Sequence, residues 1–301
     1  MALNKDMHIW NAENGDITML FGMKEEENHY ITSTCWINNY DDYLAVGNSK
    51  NHVEIWDIGR QTRIREMKSL TPIGRVGCIS WNEHILSNGS RSGHIHHHDV
   101  RVKNHLVGTL KLHQKEVCGL KWSPDGRHLA SGANDNLVAI WDARITRDAQ
   151  PLHVLRDHSA AVKAVSWCPW QNNVLATGGG TADGHIKIWN IYNGSLLQSR
   201  DAESQISCIL WSTHYKELIS SHGFQQNQLS IWKYPEMTKV SDLTGHSSRV
   251  LMMCMSPDEE MIASVGADET LRLWKCFAVD IKAKETFVLG EKKSSLDKCI
   301  R

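Results

Sequence analysis

EVCGLKWSPDGRHLASGANDNLVAIW, Glu116 to Trp141, contains the chain's folding unit in one short run. VCGLKW alternates bulky apolar with small or polar residues, as a strand with one buried face does. Ser123-Pro124-Asp125-Gly126 follows, with Pro and Asp where a tight reversal wants them. HLASGA is a second β-rich segment. Asn134-Asp135-Asn136 makes another reversal, and VAIW ends the run on a tryptophan. Connections this short can only join antiparallel neighbours, so the unit reads as a three-stranded meander.

The same unit recurs along all 301 residues. Trp10, Trp56, Trp141, Trp189, Trp232 and Trp274 each end an apolar stretch, with His98 in the matching place between Trp56 and Trp141. The intervals are 46, 42, 43, 48, 43 and 42 residues. Midway lie Trp36, Trp81, Trp122, Trp167 and Trp211, then Met255, at intervals of 45, 41, 45, 44 and 44. Two interleaved ladders with a period in the low forties mark WD repeats, each a four-stranded propeller blade. No long stretch has helical periodicity. The expected fold is therefore all-β, a seven-bladed WD40 β-propeller.

Three repeats add a polar set. His113–Ser131–Asp135–Trp141, His158–Thr177–Asp183–Trp189 and His246–Ser264–Asp268–Trp274 keep the Asp-to-Trp gap at 6 every time. A Ser-His-Asp combination suggests a hydrolase, but a catalytic site does not come in matched copies with a tryptophan as fourth member. The reading is a hydrogen-bonded tetrad that locks each blade, with no catalytic residues.

Composition narrows the functions. There are 33 Lys and Arg against 34 Asp and Glu, a formal charge of -1. That balance disfavours bulk nucleic-acid binding, which needs surplus cations, and an anionic membrane surface. The longest apolar run, Val250 to Met255, is far too short for a membrane span, and MALNKDMHIW does not read as a signal peptide. The eight cysteines contain no Cys-x-x-Cys pair, and six fall beside a recurrent tryptophan position, pointing to core positions in a reducing compartment.

Strand counting predicts a defect. Numbering strands from the centre outward, the first blade has only a clipped second strand, Ala2 and Leu3, and its third strand before Trp10. Its innermost and outermost strands have no sequence to form them. Lys284 to Gly290 (KETFVLG) is a candidate closing strand, and an amino-terminally shortened form of a longer protein is the favoured explanation. The domain reading is a propeller over 1–277, its first repeat truncated, and a mostly polar tail over 278–301 ending Ile-Arg.

Repeat spacing says little of function, because propellers host many tasks. SRSGHIHHHDVR (Ser90 to Arg101), the opening stretch Glu116 to Trp141, AVKAVSWCPWQNNVLATGGGTADGHIKIWN (Ala161 to Asn190), HYKELISSHGF and QNQLSIWKYP are more specific. They resemble the Fizzy, or cell division cycle protein 20, family of anaphase-promoting complex activators. The resemblance runs from Ala2 to Arg301. It implies an adaptor that carries KEN-box and destruction-box degrons of substrates such as cyclins and securin to a ubiquitin ligase. It implies no enzyme activity, no cofactor and no metal, a cytoplasmic and nuclear location, and spindle-checkpoint proteins as further partners. The KEN-reading positions it carries over are Asn134, Asn136, Thr181, Gln205 and Arg249. The repeat register puts these in loops of two kinds that emerge on one propeller face, and amide side chains suit a Lys-Glu-Asn peptide. Read as residues alone, Asn134 and Asn136 are ordinary turn chemistry.

The resemblance assigns the destruction box to Glu269, beside Asp268, facing the degron arginine. With the first blade clipped, destruction-box binding is expected to be impaired and KEN binding retained. Ile300–Arg301 resembles the terminus by which these activators dock on tetratricopeptide subunits of the ligase. The family's C box and checkpoint-binding segment have no counterpart in this sequence, so a receptor that binds substrates without activating the ligase is one alternative. A non-degradative WD40 scaffold is the other. His94, His96 and His98 share a strand face and suit zinc, but His98 stands in a core tryptophan position. Gly178–Gly180 lacks the Lys-Ser/Thr of a phosphate loop and reads as a turn.

Overall fold

Strand alternation and short turns leave nothing for a helix to do, and none occurs among the described residues of the computed structural model, 2–3, 6–12, 14–22, 30–37, 42–68, 74–144, 149–224 and 226–277. Lys284 to Gly290, Ile300 and Arg301 lie outside them. The chain groups into two compact units, Met1–Ile206 and Ser207–Arg301.

In the first unit β1 (Ala2–Leu3), β2 (Asp6–Trp10) and β3 (Ile17–Gly22) make a three-stranded sheet. Next come β4 (Ile31–Trp36), β5 (Tyr43–Asn48), β6 (Val53–Asp57) and β7 (Thr62–Met67). The third sheet is β8 (Val76–Asn82), β9 (Ile85–Ser90), β10 (His94–Asp99) and β11 (Leu106–Lys111). The fourth is β12 (Val117–Trp122), β13 (His128–Ala133), β14 (Val138–Asp142) and β15 (His153–Leu155). The fifth is β16 (Val162–Trp167), β17 (Val174–Gly179), β18 (His185–Asn190) and β19 (Ser195–Asp201). The second unit carries a sixth sheet, β20 (Ile206–Trp211), β21 (Glu217–His222), β22 (Leu229–Lys233) and β23 (Thr238–Leu243). The last sheet is β24 (Val250–Met255), β25 (Met261–Gly266) and β26 (Leu271–Lys275). Strands within every sheet follow sequence order, as a meander requires.

Within each unit the apolar core lies between successive sheets. Ala130, Val138, Ile140 and Leu155 of the fourth pack with Val162, Val165, Trp167, Leu175 and Trp189 of the fifth. In the second unit Ile219, Leu229 and Ile231 pack with Val250, Met253 and Ile262. Burial falls outward within a sheet: β17 is buried at every residue, whereas β19 is mostly exposed.

One expectation about the defect is corrected. The first sheet does have an outer strand, β3, paired in register with β2 (Met7 opposite Phe21, Ile9 opposite Thr18). The segment after the first turn supplies it, because in this meander a repeat's leading strand completes the preceding blade. What the first sheet lacks among the described residues is an inner strand, and the last sheet ends at its third strand. Trp36 registers the gap. Its four counterparts, Trp81, Trp122, Trp167 and Trp211, are 3 to 9% exposed, whereas Trp36 is 48% exposed. Two of these counterparts reach the preceding sheet: Trp122 Nε1 donates to Ser87 Oγ at 3.0 Å and Trp167 Nε1 to the Lys121 carbonyl at 3.0 Å.

Candidate functional site

All three tetrads form. In the fourth sheet His113 Nδ1 lies 3.1 Å from Asp135, His113 Nε2 2.9 Å from Ser131 Oγ, and Trp141 Nε1 donates to Ser131 Oγ at 2.9 Å. In the fifth the matching distances are 2.5, 2.7 and 2.8 Å through His158, Asp183, Thr177 and Trp189. In the last sheet they are 3.0, 2.7 and 2.8 Å through His246, Asp268, Ser264 and Trp274. A carboxylate only accepts, so Nδ1 donates to it. In the neutral ring Nε2 then takes the hydroxyl proton, and the hydroxyl oxygen accepts the indole N–H. Burial lowers the pKa of His113 despite its carboxylate partner. Burial would raise the Asp183 carboxyl, but hydrogen bonds from His158 and Ser159 hold it below its ordinary value. Asp268 is held well below the usual carboxylate range by Thr270, Ser247 and His246, again against burial.

Sequence reading missed how the other sheets fill the same slot. In the sixth, Trp232 Nε1 donates to Ser220 Oγ at 2.7 Å and His222, on the same strand as Ser220, completes the set at 2.7 Å. In the third, His98 sits where the tryptophan would and bonds Asn88 at 2.8 Å, while Ser87 serves both His97 and Trp122. In the second, Val46 occupies the hydroxyl position, so Trp56 donates to Glu54 at 2.9 Å instead and stacks on Phe21. Ser-x-His within one strand and Glu-x-Trp were visible signals; only the strand register reveals what they do.

The tetrads organise the proposed degron residues. Each Asp anchors the turn between a sheet's second and third strands to the loop that enters that sheet. Asn134 and Asn136 flank Asp135, Thr181 precedes Asp183 by two, and Glu269 follows Asp268. Asp135 accepts the Gln114 N–H at 2.9 Å and Asp268 the Ser247 N–H at 2.9 Å, so the carboxylates fix backbone as well as rings.

Within the first unit, Asn134 is exposed, and its N–H donates to the Glu116 carbonyl at 2.9 Å. Asn136 has φ 70°, a left-handed conformation asparagine tolerates, and its Nδ2 donates to the Ser159 carbonyl at 3.1 Å. The backbone of Asn136 is thus that of a turn residue, and its side-chain amide ties that turn to the loop entering the fifth sheet. Thr181 Oγ1 donates to Gln205 Oε1 at 3.2 Å, bringing those two together across a turn and the next entry loop.

Within the second unit, Arg249 is exposed and its carbonyl accepts the Ala267 N–H at 2.9 Å. Glu269 is exposed at φ 61°. Both Asp268 oxygens are occupied by His246, Ser247 and Thr270, so Glu269 carries the outward carboxylate.

The histidine strand is a packed one. His96, His97 and His98 are buried, His98 Nδ1 meets His105 Nδ1 at 2.9 Å, and His96 Nδ1 meets Thr109 at 3.2 Å. Among the described residues no three His, Cys, Asp or Glu side chains are grouped to hold a metal ion.

Residues 1–274 match the model of the CDC20/Fizzy WD40 domain. The Dictyostelium discoideum anaphase-promoting complex subunit cdc20 is 48% identical over 282 residues, covering 94% of this chain and 56% of that protein. The Schizosaccharomyces pombe WD repeat-containing protein slp1 is 46% identical over 282 residues, covering 93% of this chain and 56% of that protein. This chain therefore spans little more than half the length of these relatives. A chain in the crystal structure of a mitotic checkpoint complex superposes with a TM-score of 0.87 at 46% identity, over 92% of this chain and 83% of that one. The fold is a WD40 β-propeller, and the chain belongs to the CDC20/Fizzy family.

Proposed function

We propose that this chain is a substrate-recognition adaptor of the anaphase-promoting complex, a non-enzymatic receptor for degron peptides. Family membership across residues 1–274, with relatives named as subunits or cofactors of that complex, carries the reading. The chemistry of the tetrad-anchored turns supports it. Asn134, Asn136, Thr181 and Gln205 offer amides and a hydroxyl that both donate and accept, which suits a Lys-Glu-Asn peptide. Arg249 is the cation for its carboxylate. Turns held by buried Asp–His pairs are rigid before a ligand arrives, so little ordering entropy is lost on binding.

On this reading Glu269 meets the arginine of a destruction box, and Ile300–Arg301 docks on a tetratricopeptide subunit. Cell-cycle substrates and spindle-checkpoint proteins are the partners, met in cytoplasm and nucleus.

The test is fluorescence anisotropy of a labelled KEN-box peptide against the purified chain. The variant is Asn134→Ala with Asn136→Gly, glycine being chosen because Asn136 sits at positive φ. Saturable binding by wild type, lost in a variant with an unchanged melting profile, is expected. A well-folded wild type that ignores the peptide would overturn the reading and leave a non-degradative scaffold.

A further inference from the structure

The chain contains three Asn-Gly pairs, Asn14–Gly15, Asn88–Gly89 and Asn193–Gly194. Each is a potential site of succinimide chemistry. The backbone nitrogen of the glycine attacks the asparagine Cγ, and the absence of a side chain lets it approach. Whether it does so depends on three things: a nucleophilic N–H not tied into a hydrogen bond, a carbonyl oxygen polarised by donors, and access for water.

The fold disarms two of the pairs. Gly15 N–H, the nucleophile, is tied to the Asn11 carbonyl at 2.9 Å, and Asn14 Nδ2, the leaving group, donates to Asp16 at 2.7 Å. Asn88 and Gly89 lie in the middle of β9, paired on both sides and buried, with Asn88 Oδ1 bound to His98 Nε2.

Asn193 is different. It is exposed in the turn between β18 and β19, and Gly194 has φ 71°. Asn193 Oδ1 accepts two hydrogen bonds, from Ser195 N at 3.1 Å and from Ser195 Oγ at 2.8 Å. Among the described residues nothing accepts from the Gly194 N–H. Donors aimed at an oxygen that gains charge in a tetrahedral intermediate are the arrangement of an oxyanion hole.

We propose that Asn193–Gly194 is a built-in deamidation site, activated by Ser195. The Gly194 nitrogen gives its proton to water and its electron pair to Asn193 Cγ. Negative charge builds on Oδ1 between the two Ser195 donors, and the intermediate collapses as Nδ2 takes a proton back from water and leaves as ammonia. Water then opens the ring at either carbonyl, yielding aspartate or isoaspartate. The product carries one more negative charge, on a turn that packs against the His153 ring of the neighbouring sheet.

The experiment is peptide mapping by mass spectrometry of the folded chain, incubated for days at neutral to mildly alkaline pH in 18O-water. Trypsin releases Ile188 to Arg200 as one peptide. The expected result is accumulation of 18O-labelled Asp and isoAsp forms of this peptide, ahead of those containing Asn14 or Asn88. Ser195→Ala removes one donor and keeps the other; at the value of one hydrogen bond it should slow the reaction about three- to tenfold. A chain unfolded in urea is the reference: Asn88 should react there and not in the fold, while Asn193 reacts in both. Protection of Asn193 in the fold comparable to that of Asn88 would overturn the site. An unchanged rate in Ser195→Ala would overturn the assigned activation.

Discussion

Replacing Thr177 by valine tests the tetrad as a unit. Thr177 is fully buried, and its Oγ1 lies 2.7 Å from His158 Nε2 and 2.8 Å from Trp189 Nε1. Valine keeps the shape and deletes the oxygen. Trp189, 1% exposed, then has an indole N–H with no acceptor, and His158 loses its second partner. Each stranded buried group costs about 1–3 kcal/mol, so the pair predicts a loss of about 2–6 kcal/mol. Thr177→Ser is the control, since Ser131 and Ser264 serve the same place in two other sheets. It keeps the oxygen, loses one methyl and should cost about 1 kcal/mol. Urea unfolding followed by tryptophan fluorescence measures both variants. Hydrogen exchange in the 180–184 turn reports whether the Asp183 anchor loosens with the network. Valine and serine variants of equal stability would refute the claim that the hydroxyl, rather than packing, locks the blade.

Other perturbations read different parts of the structure. Burial holds His96 and His97 down to about 4 and His98 to about 3, and lowers His113 as well. The unfolded chain therefore takes up protons first as pH falls below about 6.5, so this stability is complete above that pH and lost progressively towards pH 4 and below. Between pH 7 and 4 each strongly shifted ring loses about 3 kcal/mol of its contribution, and a urea midpoint that stays flat over that range would contradict it. Gly93→Ala places a Cβ on the His113 carbonyl at a residue with φ 86°, so a loss of about 3 kcal/mol or more is expected in thermal melting. Arg75 forks onto Glu116 at 2.7 and 2.9 Å, joining the entry loops of two adjacent sheets. Glu116→Gln should cost about 1 kcal/mol, less at high salt, and a salt-independent loss would point to packing instead. Trp36, alone among the midway tryptophans of the described sheets in its exposure, should be quenched by iodide or acrylamide, and Trp36→Phe should abolish most of that quenchable emission.

Sequence alone was enough for the all-β class, the repeat and the three tetrads, because each depends on local spacing. A strand's alternation and a fixed Asp-to-Trp gap of 6 place side chains on one face whatever the rest of the chain does. The candidate turns were legible for the same reason: Asn134 and Asn136 flank a tetrad Asp in one short run. Tertiary structure decided what depends on register between strands and on neighbours distant in sequence. It showed that β3 completes the first sheet, and that Trp36 is exposed where its counterparts are covered. It assigned Glu54 and Asn88 the acceptor role that a hydroxyl fills elsewhere, and His222 the role of the tetrad histidine, since these bonds are fixed only once the strand pairing is set. It also separated three identical Asn-Gly pairs by the partners of their amides. A dipeptide carries its intrinsic reactivity in its covalent structure, whereas the donors and acceptors around it come from the fold.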